Sequence, residues 1–295
     1  MFFRRVALVG LAISVAPFAC NKSSAPTRVL RDDFGDSVAI PRSAPTRIVS
    51  LNPATTEMLF TMGAGSRLVG RTKYDLYPDS ARLVPELGDG LRPNVEAVLG
   101  ARPDLVILYA SQDNRPAARR FRAAGVNTLA IKNDHIADFG RTISILGAIL
   151  HDSARAQTVI DSVTSTLARV ANATRGTERP RVFWHIWDAP LITVGSGSFM
   201  DELINIAGGN NVYADITGPS GPITLEDVAR RDPDFILAGP IGAGTIKSDP
   251  RWRIVRAARS GKVLVVDTLL VARPSVRLGE AAISLANQLH PGIIR

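Results

Sequence analysis

Cysteine is almost missing from this 295-residue chain: Cys20 is the only one. A single thiol excludes an internal disulfide and any cluster built on several cysteinate ligands. Histidine is scarce, with four in the chain, and no His-x-x-x-His, Glu-x-x-His or paired-Cys spacing offers ligands to a catalytic metal. Long hydrophobic runs are lacking too. Val6 to Ala16 is apolar but too short to span a bilayer, and no later segment reaches the roughly 18 uninterrupted apolar residues that a spanning helix needs. Two stretches approach nucleotide or hydrolase signatures and fall short. Gly242-Ala243-Gly244-Thr245-Ile246-Lys247-Ser248 lacks the glycine directly before lysine that a phosphate loop requires. Gly195-Ser196-Gly197-Ser198 precedes a helix but has no Gly-x-Ser-x-Gly nucleophile pattern, so it is expected to be a solvent-exposed turn. An enzyme is therefore not expected.

What is present is size, apolar content and a positive charge balance. Hydrophobic residues make up 45% of the chain, enough to bury one or two α/β cores without crosslinks. Net charge is +8, or +6 without Arg4 and Arg5. The basic run Arg251, Arg253, Arg256, Arg259 and Lys262 alternates with Trp252, Ile254, Val255 and Ala258, which reads as one solvated helix face. Nucleic acid is not an expected partner. Arg4-Arg5 followed by the short apolar stretch has the form of an export signal over residues 1–20. Cys20, with Ala19 before it and the tether-like Asn21-Lys22-Ser23-Ser24-Ala25-Pro26 after it, resembles the lipidated cysteine of a bacterial lipoprotein. An ordinary secretory signal is the other reading. Lipidation would place the protein in the periplasm or at the cell surface, held to a membrane through buried methylenes.

The most informative feature is a statement the chain makes twice, about 130 residues apart. Asn94-Val95-Glu96-Ala97-Val98-Leu99 followed by Arg102-Pro103-Asp104-Leu105-Val106-Ile107-Leu108 returns as Thr224-Leu225-Glu226-Asp227-Val228-Ala229 followed by Asp232-Pro233-Asp234-Phe235-Ile236-Leu237-Ala238. Each copy reads as a capped short helix, a Pro-Asp turn and a buried strand. Two lobes of similar build follow, each presenting one glutamate near a helix start.

The rest of the pattern agrees. Val29 to Ile40 has the form of a hairpin with Gly35 in its turn. Strands and helices then alternate, as in a parallel, doubly wound sheet. From Ser153 to about Ala173 no Gly or Pro intervenes, and Ala156, Val159, Val163, Leu167 and Val170 form one apolar stripe. A helix of about 21 residues spans roughly 30 Å, which suits a strut between two lobes. The predicted organisation is a signal at 1–20, tether and hairpin at 21–45, an N-terminal lobe at 46–151, an interdomain helix at 152–175 and a C-terminal lobe at 176–295.

Arg47-Ile48-Val49-Ser50-Leu51-Asn52-Pro53-Ala54-Thr55-Thr56-Glu57, Tyr74-Asp75-Leu76-Tyr77-Pro78, Gly88-Asp89-Gly90, the repeated Glu…Pro-Asp units and Gly208-Gly209-Asn210-Asn211 resemble the helical-backbone periplasmic binding proteins. That family delivers vitamin B12, ferric siderophores or heme to ABC importers. The resemblance covers about residues 28–290, is nearest to its vitamin-B12-binding members, and implies two Rossmann-like lobes joined by one rigid helix with a ligand cleft between them. It also implies a permease and its ATPase as partners, a small-molecule metal complex as ligand, no cofactor of the protein's own, and a monomer. By motif position, Glu96 and Glu226 would dock onto permease arginines.

Within the cleft, Tyr74 and Tyr109 stand at strand ends where the vitamin-B12-binding relatives have aromatic contacts. Trp187 closes the second lobe's first strand, and alternation would place His185 on its face and Trp184 with Ile186 on the other. His185 is a minor candidate for an axial metal ligand. Arg273 could meet a carboxylate, phosphate or siderophore oxygen, or pair with a neighbouring acid. Gly90 and Ser220 stand where the B12-binding relatives carry tryptophans, and the leader hairpin is common among siderophore binders. Cobalamin or another corrinoid is the first reading, a ferric siderophore or heme the alternative, and a non-transport scaffold lipoprotein the last.

Overall fold

A computed structural model describes residues 28–294; the export signal, Cys20 and the tether up to residue 27 lie outside the described residues. The chain opens with the antiparallel hairpin of β1 (Val29–Arg31) and β2 (Ser37–Ala39). It then builds β3 (Ile48–Leu51), α1 (Pro53–Thr61), β4 (Leu68–Gly70), α2 (Val95–Gly100), β5 (Leu105–Tyr109), α3 (Arg115–Ala123) and β6 (Asn127–Ile131). The four strands form one parallel sheet in the order β4-β3-β5-β6. β3 is buried along its whole length, as a strand covered on both faces must be.

Two helices follow, α4 (Ile136–Leu150) and α5 (Ser153–Ala173), joined at His151 and Asp152. The stripe foreseen for α5 is its buried face: Ala156, Val159, Val163, Leu167 and Val170. The Asp152 carboxylate caps its start by accepting from the Arg155 N–H at 3.0 Å. α4 was not foreseen. Its two glycines and its polar leader Asn133-Asp134-His135 hide the period, yet Asp138 accepts from the His135 N–H at 3.0 Å and fixes the first turn. Gly147 is what lets α4 lie so close to α5: a Cβ there would stand 2.5 Å from the Ala156 Cβ.

The second half contains β7 (Arg181–Asp188), β8 (Leu191–Val194), α6 (Phe199–Ile206), β9 (Asn210–Asn211), β10 (Ser220–Pro222), α7 (Leu225–Arg231), β11 (Phe235–Ala238), α8 (Pro240–Ser248), α9 (Arg256–Arg259), β12 (Val263–Val265), α10 (Thr268–Val271) and α11 (Leu278–Leu289). Its sheet runs β10-β8-β7-β11-β12; β7, β11 and β12 are parallel, β8 and β10 antiparallel, and β9 joins β7 in parallel. One continuous core joins the inner faces of both sheets through α4, α5, α6 and α11. The outer face of the first sheet is covered by α2 and α3. The outer face of the second is covered by α7, α8 and the turn around Trp252.

Two local expectations need correction. The Gly195–Ser198 turn is not solvent-exposed: Gly195 is buried, and a Cβ on it would meet the Gly218 carbonyl at 2.2 Å. The basic run is not one helix face either. Pro250–Ile254 is a 3-10 turn, and Arg251 and Arg256 leave it to pair with Asp249 and with Asp232 and Asp234.

Candidate functional site

The repeat is local architecture. Asn94 and Thr224 cap α2 and α7, accepting from the N–H groups of Ala97 and Asp227 at 3.1 and 3.2 Å. Arg102 and Asp232 end those helices at φ 49° and 43°, and Asp104 and Asp234 next accept the N–H groups of Arg47 and Arg181 at 3.1 and 2.9 Å. Those two arginines reach back to the carbonyls at the ends of α2 and α7, Arg47 to Ala101 and Arg181 to Arg231, each at 2.6 Å. The result puts Glu96 and Glu226 at the same position of the first helical turn. Both are exposed, and neither makes a hydrogen bond or ion pair among the described residues.

Between the lobes the loops that follow the strands line two adjoining pockets. One of about 460 Å³ is walled by Asn52, Pro53, Ala54, Tyr74, Tyr109, Asn133, Asp134, Phe199, Ala272, Arg273 and Pro274. The other, of about 280 Å³, is walled mainly by apolar groups that include Trp184, Ile186, Trp187, Met200, Pro240, Ile241 and Val271. Ala272 belongs to both. Most wall segments come from a strand's carboxyl end or the loop and helix start near it, the position where open α/β sheets take ligands, while Ala272, Arg273 and Pro274 belong to the loop after α10.

Tyr74, Tyr109 and Arg273 thus meet in one pocket and Trp187 stands in the next. Trp187 is 61% exposed, and its indole N–H donates to the Ala189 carbonyl at 3.1 Å, which leaves its faces free. Tyr74 is 46% exposed, with the Lys73 ammonium 5.0 Å from its ring centre. Tyr109 is half-buried and donates to Asp134 Oδ1 at 2.6 Å. Burial first, and then this bond to a carboxylate, push its hydroxyl well above the usual phenol range, so it stays a neutral phenol.

The geometry corrects His185. The ladder slips between His185 and Trp187, a bulge at Ile186 that breaks strict alternation. His185 is buried and packs edge-on against Phe183 and Trp252 instead of sharing an open face with Trp187. Its Nε2 lies 2.9 Å from Asp188 Oδ1, and a metal would have to displace that partner. Arg273 takes the second of its two expected roles. Its Nη1 lies 3.1 Å from Glu57 Oε1, its Nη2 donates to the Tyr74 carbonyl, and its side chain is 12% exposed.

Several wall residues escaped the sequence reading. Asn133, Asp134 and Phe199 sit in loops or at a helix start, where no periodicity marks a side chain that faces a cleft. Pro240 and Ile241 carried a usable signal, since only Gly239 separates them from the strand β11. Among the described residues no group of three or more His, Cys, Asp or Glu could hold a metal ion.

Two α/β lobes bridged by a long helix, with an aromatic cleft at their strand ends, define a bilobal small-molecule binding protein. The periplasmic binding protein family model matches residues 48–268, and the chain belongs to that family of exported carriers, which are not enzymes. It is 28% identical over 268 residues to YvrC, an ABC transporter substrate-binding lipoprotein of Bacillus subtilis, covering 88% of this chain and 85% of that one. It is also 28% identical over 279 residues to a cobalamin-binding protein of Halobacterium salinarum, covering 89% and 74%. A periplasmic heme-binding protein of Pseudomonas aeruginosa superposes with a TM-score of 0.76 at 25% identity, over 84% of this chain and 94% of that structure. No helix among the described residues is long and apolar enough to cross a membrane.

Proposed function

We propose that this chain is the substrate-binding component of an ABC importer, and that it captures a corrinoid between its lobes for delivery to the permease and its ATPase. One observation carries the choice of ligand: the cleft wall is mostly apolar, and the one arginine or lysine among its described residues, Arg273, is already engaged by Glu57. Asp134 is held by Lys132 and Tyr109, Asp188 by His185, and Arg273 by Glu57. Beside the Asp188 carboxylate, what remains most exposed is apolar or aromatic, led by Trp187, Tyr74 and Ile241. Such a wall suits a large ring with an uncharged amide rim better than a polyanionic iron chelate. The Halobacterium relative supports the same ligand class. Heme or a ferric siderophore is the second reading, supported by the likeness to the Pseudomonas protein.

In this reading Glu96 and Glu226 dock onto basic residues of the permease, and charges at two rims fix orientation and speed encounter more than they add affinity. Cys20 carries the lipid anchor, and the carrier acts as a monomer. A fluorescence-quenching titration with cyanocobalamin, hemin and a ferric siderophore panel tests the proposal. Saturable quenching by cyanocobalamin, weakened by Trp187→Ala or Tyr109→Ala without loss of folding, supports it. Selective response to an iron complex replaces the ligand. Silence from all three overturns the transport role and leaves a scaffold lipoprotein.

A further inference from the structure

We propose that Glu57, which need not touch a ligand, is a positioning residue of the cleft: through Arg273 it holds Tyr74 at the mouth of the pocket. The inference rests on the binding reading above. Glu57 belongs to α1 in the first lobe and is 1% exposed. One of its carboxylate oxygens meets Arg273 Nη1 at 3.1 Å, and the other accepts from the Ser275 hydroxyl. Both partners come from the loop that follows α10 in the second lobe. The remaining arm of Arg273 crosses back to donate to the Tyr74 carbonyl. Three residues further along the first-lobe loop, the Tyr77 ring lies 4.3 Å under the Arg277 guanidinium. The two loops are therefore stitched together at two points.

The neighbouring residue Thr56 secures the same loop at the residue after Tyr74. Its hydroxyl and that of Thr72 both donate to the buried Asp75 carboxylate. Consecutive residues of α1 thus hold the Tyr74 loop, Thr56 within the lobe and Glu57 across the cleft. Tyr74 has no side-chain hydrogen bond of its own among the described residues, so its ring is placed by what its backbone is tied to. A buried guanidinium without its carboxylate would turn toward water or an anion, and would let go of the Tyr74 carbonyl. Glu57 in this way fixes the position of Tyr74 and offsets the charge of Arg273.

The test compares wild type with Glu57→Gln by hydrogen exchange of the unliganded protein and by titration with cyanocobalamin and hemin. Faster exchange confined to residues 72–77 and 272–277 is expected. A loss of about tenfold in affinity is expected for the probe that wild type binds. In a Tyr74→Ala background the same substitution should cost less than about twofold, because its effect runs through that ring. Unchanged exchange in those segments, equal acceleration throughout both lobes, or an undiminished tenfold loss without Tyr74 would each overturn the role. If Glu57→Gln does not fold, Glu57→Gln/Arg273→Met removes both charges and must show the same local exchange; its absence there is equally fatal. If neither probe binds wild type, the ligand assignment fails, while the exchange data still decide the tie between the loops.

Discussion

Two carboxyls near the cleft floor behave unlike surface acids. Burial raises Glu57 and Asp75 above the ordinary carboxylate range, opposed in part by the Ser275 hydroxyl and the Arg273 guanidinium at the first and by the Thr56 and Thr72 hydroxyls at the second. With folded pKa values above the unfolded ones, their contribution to stability is complete below the unfolded pKa. It is lost as pH rises through the folded values. Acidification through those folded values should therefore strengthen the share of stability that these two groups supply. Thermal melts of wild type and Glu57→Gln/Asp75→Asn across that range check the sign: the variant should lose this pH-dependent share. The Glu57 partnership could not be read from sequence, because its partners lie 216 and 218 residues away and no local pattern connects them. Its burial was equally invisible, since an α1 with three threonines among nine residues gives no strong stripe.

At the scale of elements, periodicity served best where it was long. The α5 stripe is legible residue by residue, and a 21-residue helix with five buried apolar positions leaves little room for another assignment. Leu167→Ala should cost about 2–5 kcal/mol, since it opens a cavity at the junction of α5 with the shared core; chemical denaturation measures it. The repeat was legible for a different reason: a cap, a helix end and a Pro-Asp turn each impose their own residue choice. Asn94→Ala and Thr224→Ala should each lose about 1 kcal/mol by the same assay. Strand β7 shows where alternation misleads. A single bulge at Ile186 separates His185 from Trp187, and only the pairing with β8 records it.

Across the whole molecule, α5 is braced rather than free-standing. α4 lies along it on one side, and α11 approaches on the other, where Gly279 leaves room for Thr166. With the Glu57–Arg273 tie across the cleft floor, this bracing predicts little lobe closure. The radius of gyration from small-angle scattering should change hardly at all when ligand saturates the cleft. Replacing Glu96 and Glu226 together by Lys should abolish uptake while leaving ligand affinity within about threefold. Collapse of affinity in that variant would move both residues into the pocket. The general plan of two sheets and a long helix follows from patterns within single elements. The cleft wall does not, because it is assembled from loop residues whose orientation depends on contacts between lobes.

The pairing of Arg273, the one arginine or lysine among the described cleft walls, has a kinetic consequence. A cleft with no free cation among its described walls does not steer an anionic iron chelate inward, and an uncharged ligand feels no long-range pull, so the association rate for cyanocobalamin should hardly respond to ionic strength. Glu96 and Glu226, exposed and without an ion-pair partner among the described residues, are subject to screening by salt. Raising salt should accordingly slow the meeting of carrier and permease while leaving capture untouched, so that the two encounters of one transport cycle are separated by a single solution variable.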